Sequence, residues 1–304
     1  MAVIKGLQSA STRAVSKAAV GAFVLLASSG WSLQAGARAI HASAAEGRDP
    51  SLRSTSVLVV DPTNSSVLLS KNADVAAPIA SITKLMTSLV VLDAGQSLSE
   101  RITVTEADVD LPKGGYSRLK VGTTLSRGDI MHLALMSSEN HAAHALGRNY
   151  PGGIPAIVRA MNAKAAALGM TTAHFVEPTG LSSENVASPA DLSKLVIAAS
   201  RKPIIREFST DPNYAVPVRG HLVEFRNTDK LVSNPTWNIV VQKTGYISEA
   251  GRCLVMEAVI EGRSVVIVLL DSFGKYTRLA DATRVKNWLQ AIGVGPHLSR
   301  VSMR

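Results

Sequence analysis

Residues 78–95 read PIASITKLMTSLVVLDAG, and the rest of the chain is best read outward from this stretch. Ile82, Leu85, Met86, Leu89 and Leu92 recur at helical spacing and form one apolar stripe. The helix they predict starts at Ser81, which places a hydroxyl at its N-terminus and the Lys84 amine one turn later on the same face.

Upstream, residues 56–60 and 67–70 are β-prone runs separated by Asp61-Pro62-Thr63-Asn64, so a hairpin precedes that helix. Downstream, helical patterns at 129–136, 139–147, 154–168 and 189–199 are interrupted by breaks such as Tyr150-Pro151-Gly152-Gly153. Strand character returns at 237–242, 252–261 and 264–270, the last two joined through Glu261-Gly262-Arg263. A closing helix is expected from about 276 to 291. Strands at both ends, linked by hairpins, predict an antiparallel sheet. The expected class is therefore α+β: a sheet flanked by helices, plus an all-helical subdomain. The sheet lobe would take about 56–110 and 225–304 and the helical lobe about 111–224, with a site at their seam.

Composition narrows the function. The 304 residues are 46% apolar and 18% charged, which excludes a disordered chain. With 5 Phe, 3 Trp and 5 Tyr there is no base-stacking platform, so the net charge of +9 does not indicate a nucleic-acid partner. Cys253 is the sole cysteine, which rules out zinc ribbons and disulfide scaffolds and reads as a buried small hydrophobe in a strand.

The N-terminus reads as an address. Lys5, Arg13 and Lys17 precede an apolar run at 18–27, no acid occurs before Glu46, and Ala-x-Ala sites fall at Ala35–Ala37 and Ala37–Ala39. Residues 1–39 are thus expected to be an export signal, with residues 40–304 forming one exported domain. Its removal would leave 28 basic residues against 23 acidic ones, a surplus suited to an acidic polymer such as a cell wall. The short basic end, SRVSMR, suggests no membrane anchor after processing.

Three short motifs carry chemistry. Ser-x-x-Lys occurs at Ser81–Lys84, Ser117–Lys120 and Ser272–Lys275, and only the first begins a clear helix. Ser138-Glu139-Asn140 is a Ser-x-Asn at a break between helices, with rivals at Ser70–Asn72 and Ser183–Asn185. Lys243-Thr244-Gly245 occurs once, at the end of a strand, where the glycine would let a substrate backbone lie close. Each alone could be a helix cap or a strand end. In this order they form the motif set of penicillin-binding proteins and serine β-lactamases.

The likeness extends beyond the motifs. PIASITKLMTSLVVLDAG, LALMSSENHAAHALGRNYPGG, FVEPTGL, FRNT, WNIVVQKTGY, AGRCLVM and LLDSFGKY resemble the D-alanyl-D-alanine endopeptidases among the low-molecular-mass penicillin-binding proteins. The resemblance implies a serine β-lactamase/DD-peptidase-like fold and an acyl-enzyme on Ser81. Lys84 would be the general base, which means lowering a pKa of about 10.4 to near neutrality at a cost of roughly 4 kcal/mol. Ser138 would relay the proton to the leaving amine, and Asn140 would orient Lys84 and hold substrate. The N–H groups of Ser81 and Tyr246 would form an oxyanion hole, while Lys243, Thr244 and Gly245 would bind a carboxylate. Arg226, in FRNT, is a second carboxylate candidate, or a surface ion pair. The implied substrate is the D-Ala–diaminopimelate cross-link of peptidoglycan, with β-lactams as inhibitors and no cofactor.

Other readings stay open on sequence alone. A DD-carboxypeptidase differs only in the acceptor side of the scissile bond. A β-lactamase would need a glutamate for deacylation, and Glu177 in VEPTGL is the candidate, although Leu181 stands where a supporting asparagine is expected. A sensor that is merely acylated by antibiotic is a third. His141 and His144 lie beside Glu139, but no His-Glu-x-x-His exists, so a metal is not expected and both read as helix-surface or cleft-rim residues.

Overall fold

Five strands carry the frame. The computed structural model describes residues 50–109 and 117–293; the export-signal reading of residues 1–39 and the chain's basic end lie outside them. In chain order the elements are β1 (Ser54–Asp61), β2 (Ser66–Lys71), β3 (Ala77–Pro78), α1 (Thr83–Asp93), β4 (Arg101–Thr103), β5 (Thr124–Ser126) and α2 (Arg127–Met136). They continue as α3 (Asn140–Arg148), α4 (Gly153–Ala167), β6 (Val186–Ala187), α5 (Pro189–Ser200), α6 (Pro203–Thr210), β7 (Asn213–Val218) and β8 (His221–Arg226). Last come β9 (Asn238–Ile247), β10 (Gly251–Ile260), β11 (Arg263–Ser272) and α7 (Thr277–Ala291).

The main sheet runs β2-β1-β11-β10-β9 and is antiparallel throughout. The β10–β11 turn is Glu261-Gly262, both residues at positive φ (50° and 77°), as a tight right-twisted hairpin requires. Alternation assigns the two faces. Val57, Val59, Leu254, Met256, Ile267 and Leu269 pack with Ala282, Val285 and Leu289 of α7. Leu58, Val60, Cys253, Val255, Val268 and Leu270 face the other way, into a core shared with α1 and the helices of the middle segment. The fold is α+β.

Cys253 is fully buried in β10, and burial pushes its thiol up to about 11, so it is an inert packing residue. The middle segment differs from the all-helical expectation. Residues 213–226 form the β7–β8 ribbon, turned by Arg219-Gly220 at φ 49° and 83°. Its signal was alternation: Val216 and Val218 are buried, whereas Ala215 and Pro217 are exposed. Such a ribbon is short enough for Gly and Pro to disguise as a loop.

Asp281 of α7 locks the start of β1 where it lies beside the end of β11. Its Oδ2 accepts from the amides of Arg53 (3.0 Å) and Ser54 (2.8 Å) and from Ser54 Oγ (2.7 Å), which also meets Ser272 Oγ at 2.7 Å. Arg284 pairs with the other oxygen at 2.6 Å. Asp281 is fully buried, so removing it strands several donors. Asp281→Ala is expected to lower the unfolding free energy by about 3 kcal/mol. Urea denaturation should show the midpoint falling, with Asp281→Asn recovering part of the loss.

Candidate active site

Ser81 lies in a single 3-10 turn, Ala80–Ile82, that leads directly into α1. Lys84 is on the first turn of α1 and is fully buried. Its Nζ is 2.8 Å from Ser81 Oγ, 2.8 Å from Asn140 Oδ1 and 2.6 Å from the Thr179 carbonyl oxygen. Two of these partners, an amide oxygen and a backbone carbonyl, can only accept. They hold two N–H bonds of the amine and leave its third position facing the serine hydroxyl. Burial lowers the Lys84 pKa to about 7, against an opposing pull from the Glu177 and Glu139 carboxylates. Near neutral pH the amine therefore presents a lone pair to the Ser81 O–H.

Asn140 is the first residue of α3, and Ser138 occupies the break after α2. Ser138 sits at φ 61°, a left-handed conformation uncommon outside glycine and frequent at functional sites. Glu139, between them, is largely buried, and that burial raises its pKa; Ser117 Oγ donates to its carboxylate at 2.5 Å. The hydroxyl of the second Ser-x-x-Lys thus serves a structural role.

Lys243, Thr244 and Gly245 lie on β9, the edge strand of the sheet. The Gln242 N–H bonds outward to Ser209 Oγ (3.4 Å), and the pairing with β10 is unbroken from Gln242 to Ile247. By the two-residue period of a strand, the N–H groups of Thr244 and Tyr246 also face the free edge. That edge runs against the Ser81 turn. A Cβ on Gly245 would lie 3.0 Å from Ile79 O and 3.2 Å from Ser81 N. The glycine thus admits the protein's own backbone, where the sequence suggested a substrate's. Lys243 is fully buried and donates to Thr244 O at 3.0 Å; burial, then the nearby Lys84 and Arg278 charges, depress its pKa.

Arg226 does not join this cluster. On β8 its neighbour Phe225 takes the buried side, so the Arg226 side chain points outward, 82% exposed, and pairs with Glu224 at 3.0 Å. Two residues on, it is Thr228 that reaches the cluster: its hydroxyl bonds Thr244 Oγ1 at 2.6 Å.

Glu177 is a loop brace. Its carboxylate accepts from Thr179 N and Oγ1 (2.6 Å each), Gly180 N (2.6 Å) and Asn185 Nδ2 (3.0 Å). These bonds aim the Thr179 carbonyl at Lys84 and occupy the oxygens a water-activating base would need. Gly180, at φ 84°, is equally constrained, since a Cβ there would fall 2.0 Å from Ala80 O. Sequence reasoning assigned neither role.

It also missed Arg278, on the first turn of α7 and 8% exposed. Among the described residues neither its Nε nor its Nη1 has a hydrogen-bond partner. Its charge acts on Lys243 and on Asp229, whose carboxyl burial raises to about 6. Both histidines are structural fasteners: buried His141 meets Leu119 O through Nδ1 at 2.9 Å, and half-buried His144 meets Asp108 through Nδ1 at 2.8 Å. Among the described residues no cluster of three or more His, Cys, Asp or Glu side chains could hold a metal ion.

Comparison with known proteins agrees with this geometry. Residues 42–274 match the family described as D-alanyl-D-alanine carboxypeptidase, peptidase family S11. A D-alanyl-D-alanine endopeptidase of Pseudomonas aeruginosa is 49% identical over 241 residues, 79% of this chain and 78% of that protein. One from Escherichia coli is 45% identical over 264 residues, covering 84% and 83%. Among solved structures, the Streptomyces K15 DD-transpeptidase superposes with a TM-score of 0.74 at 26% identity, covering 80% of this chain and 99% of the other. A serine hydroxyl against a buried lysine amine, the order of the three motifs and a family match over most of the chain lead to one assignment: this protein belongs to the S11 family of serine DD-peptidases.

Proposed function

We propose that this protein is a penicillin-sensitive serine DD-endopeptidase that hydrolyses the D-Ala–diaminopimelate cross-links of peptidoglycan in the periplasm. The observation that carries the reading is the Lys84 amine, buried and held by two acceptor-only oxygens so that its lone pair meets the Ser81 hydroxyl. The endopeptidase name of the relatives at 49% and 45% identity supports the choice of bond. The basic, apolar and small-residue pattern of residues 1–39 supports export.

In the proposed reaction Lys84 takes the proton of Ser81 Oγ as that oxygen adds to the D-Ala carbonyl. The N–H groups of Ser81 and Tyr246 receive the developing oxyanion, each worth about 3 kcal/mol. The C–N bond then breaks, and Ser138 passes a proton from Lys84 to the departing amine. Water hydrolyses the Ser81 ester with Lys84 again as base. On the leaving side Lys243 and Thr244, the latter fixed by Thr228, meet the carboxylate beside the scissile bond, with the Arg278 guanidinium behind them. Burial depresses the Lys243 pKa, and an arriving carboxylate favours its charged form. Asn140 presents its amide nitrogen to the substrate while its oxygen holds Lys84. A β-lactam carbonyl fits the same geometry and would leave a penicilloyl ester on Ser81.

A carboxypeptidase uses this same machinery on a free D-Ala-D-Ala end. Mass spectrometry of products separates the two: conversion of cross-linked muropeptide dimer to monomers is expected, rather than loss of one D-Ala. A β-lactamase is disfavoured by the fully engaged Glu177 carboxylate. Slow release of penicillin is therefore expected.

Ser81→Ala should abolish both labelling by fluorescent penicillin and cleavage of the dimer; survival of either activity defeats the assignment. The rate of acylation by benzylpenicillin should rise with pH and level off above a midpoint near 7, because the reactive form of Lys84 is the deprotonated one. Below that midpoint the rate should fall about tenfold per pH unit. A profile flat from pH 5 to 9 would remove Lys84 from its role. Arg226→Ala should leave both activities within about twofold, as expected for one exposed ion pair.

A further inference from the structure

Past the catalytic strand end, the surface carries rings that the fold does not use. Phe273 is 92% exposed, Tyr246 55% and Tyr276 54%. Phe273 is not on a loose segment: the preceding Ser272 is 2% exposed, and its hydroxyl is tied to Ser54 Oγ at 2.7 Å. Cations accompany the rings. The Arg252 guanidinium lies 4.4 Å from the Tyr246 ring centre, and Lys275 and Lys230 lie 5.5 Å and 5.7 Å from that of Tyr276. Tyr246, Ser248, Arg252, Asp271, Phe273 and Lys275 line one open hollow of about 380 Å³. Asp271 is its single acid, so the lining is net cationic. Contiguous exposed rings of this kind mark a binding surface, and rings with guanidinium or amine neighbours suit an amphipathic anion.

Position along β9 names the occupant. The carboxylate on the leaving side belongs at Lys243 and Thr244, and the scissile carbonyl at the Tyr246 N–H. Residues on the acyl side must then continue past Tyr246 along the same edge, at about 3.3 Å per extended residue. The hollow opens at that end of the strand, where Tyr246 and, two residues on, Ser248 line it. We propose that this hollow binds the acyl-side stem peptide of the cross-link, an acidic peptide whose carboxylates meet Arg252 and Lys275 and whose aliphatic parts lie on Phe273 and Tyr246. The inference rests on the endopeptidase reading above and deepens it, making Phe273 and Lys275 specificity residues.

The test uses the full chain with Phe273→Ala, Lys275→Gln and the double variant. Three reactions are compared: cleavage of a cross-linked muropeptide dimer with an intact acyl-side stem, cleavage of a short N-acetyl-D-Ala peptide lacking that stem, and acylation by benzylpenicillin. For the double variant kcat/KM on the dimer should fall about tenfold or more, chiefly through KM, as loss of a charged and an aromatic contact predicts. The two short substrates should stay within about twofold of wild type. Equal losses on all three would mean damage to the catalytic centre and overturn the proposal, as would an unchanged rate on the dimer. Anionic phospholipid vesicles are the remaining control: if the wild type binds them, and the variants lose only that binding, the surface serves a membrane. A wild type acylated by penicillin that leaves the dimer intact would instead overturn the endopeptidase reading itself.

Discussion

An amine moved from water into a protein interior loses several kcal/mol of hydration if it stays charged, and only well-placed partners recover it. Lys84 has three oxygen partners, and among the described residues none is a carboxylate in ion-pair contact. The cheaper outcome is loss of the proton, which turns a structural cost into a usable base. The folded pKa lies below that of the unfolded chain, so the unfolded chain binds more protons between about pH 7 and 10. Over that window this group makes the fold more stable as pH rises. Chemistry and folding therefore pull in the same direction: both favour the neutral amine.

Each of the amine's three contacts comes from a different part of the chain, and each has its own support. Ser81 comes from the turn before α1 and Asn140 from the first turn of α3. The Thr179 carbonyl comes from a loop that Glu177 and Asn185 brace. Two glycines let the remaining backbones close on the Ser81 turn, Gly180 from one side and Gly245 of β9 from the other. Such precision matters because a displacement of about 1 Å at a reacting atom costs on the order of a hundredfold in rate. Buried glycines and saturated carboxylates are the means by which this chain holds that tolerance without metal or disulfide among the described residues.

Motif order and local pattern made most of this legible in advance. Ser81, Lys84, Asn140, Lys243, Thr244 and Gly245 are short-range signals, each tied to a helix start or a strand end that periodicity marks. The terminal hairpins and the sheet were readable for the same reason. What escaped depends on contacts between distant segments. Glu177 looks like a spare catalytic acid until Asn185 and the Thr179 and Gly180 amides are seen around it. Arg278 is one arginine among many on a helix, and only burial with unpartnered donors sets it apart. Arg226 was chosen for its charge, but strand parity fixed its direction: with Phe225 inward it must point out, and Thr228 reaches the site instead. The β7–β8 ribbon was lost because its alternation spans too few residues to outweigh its proline and glycine.

Two buried amines in one site impose a further constraint. Charge on Lys84 disfavours charge on Lys243, and burial disfavours charge on both. In the proposed reaction a substrate carboxylate docked at Lys243 stabilises the proton there and cancels its field at Lys84. Lys84 can then accept the Ser81 proton without meeting an uncompensated neighbour. When the leaving fragment departs it carries its carboxylate away, and Lys243 loses the partner that favoured its charge. By then Lys84 has passed its proton through Ser138 to that fragment's amine, and the free base needed for the attack of water is restored. The second lysine thus does more than hold a carboxylate: substrate charge, on arriving, sets when the first lysine can hold a proton.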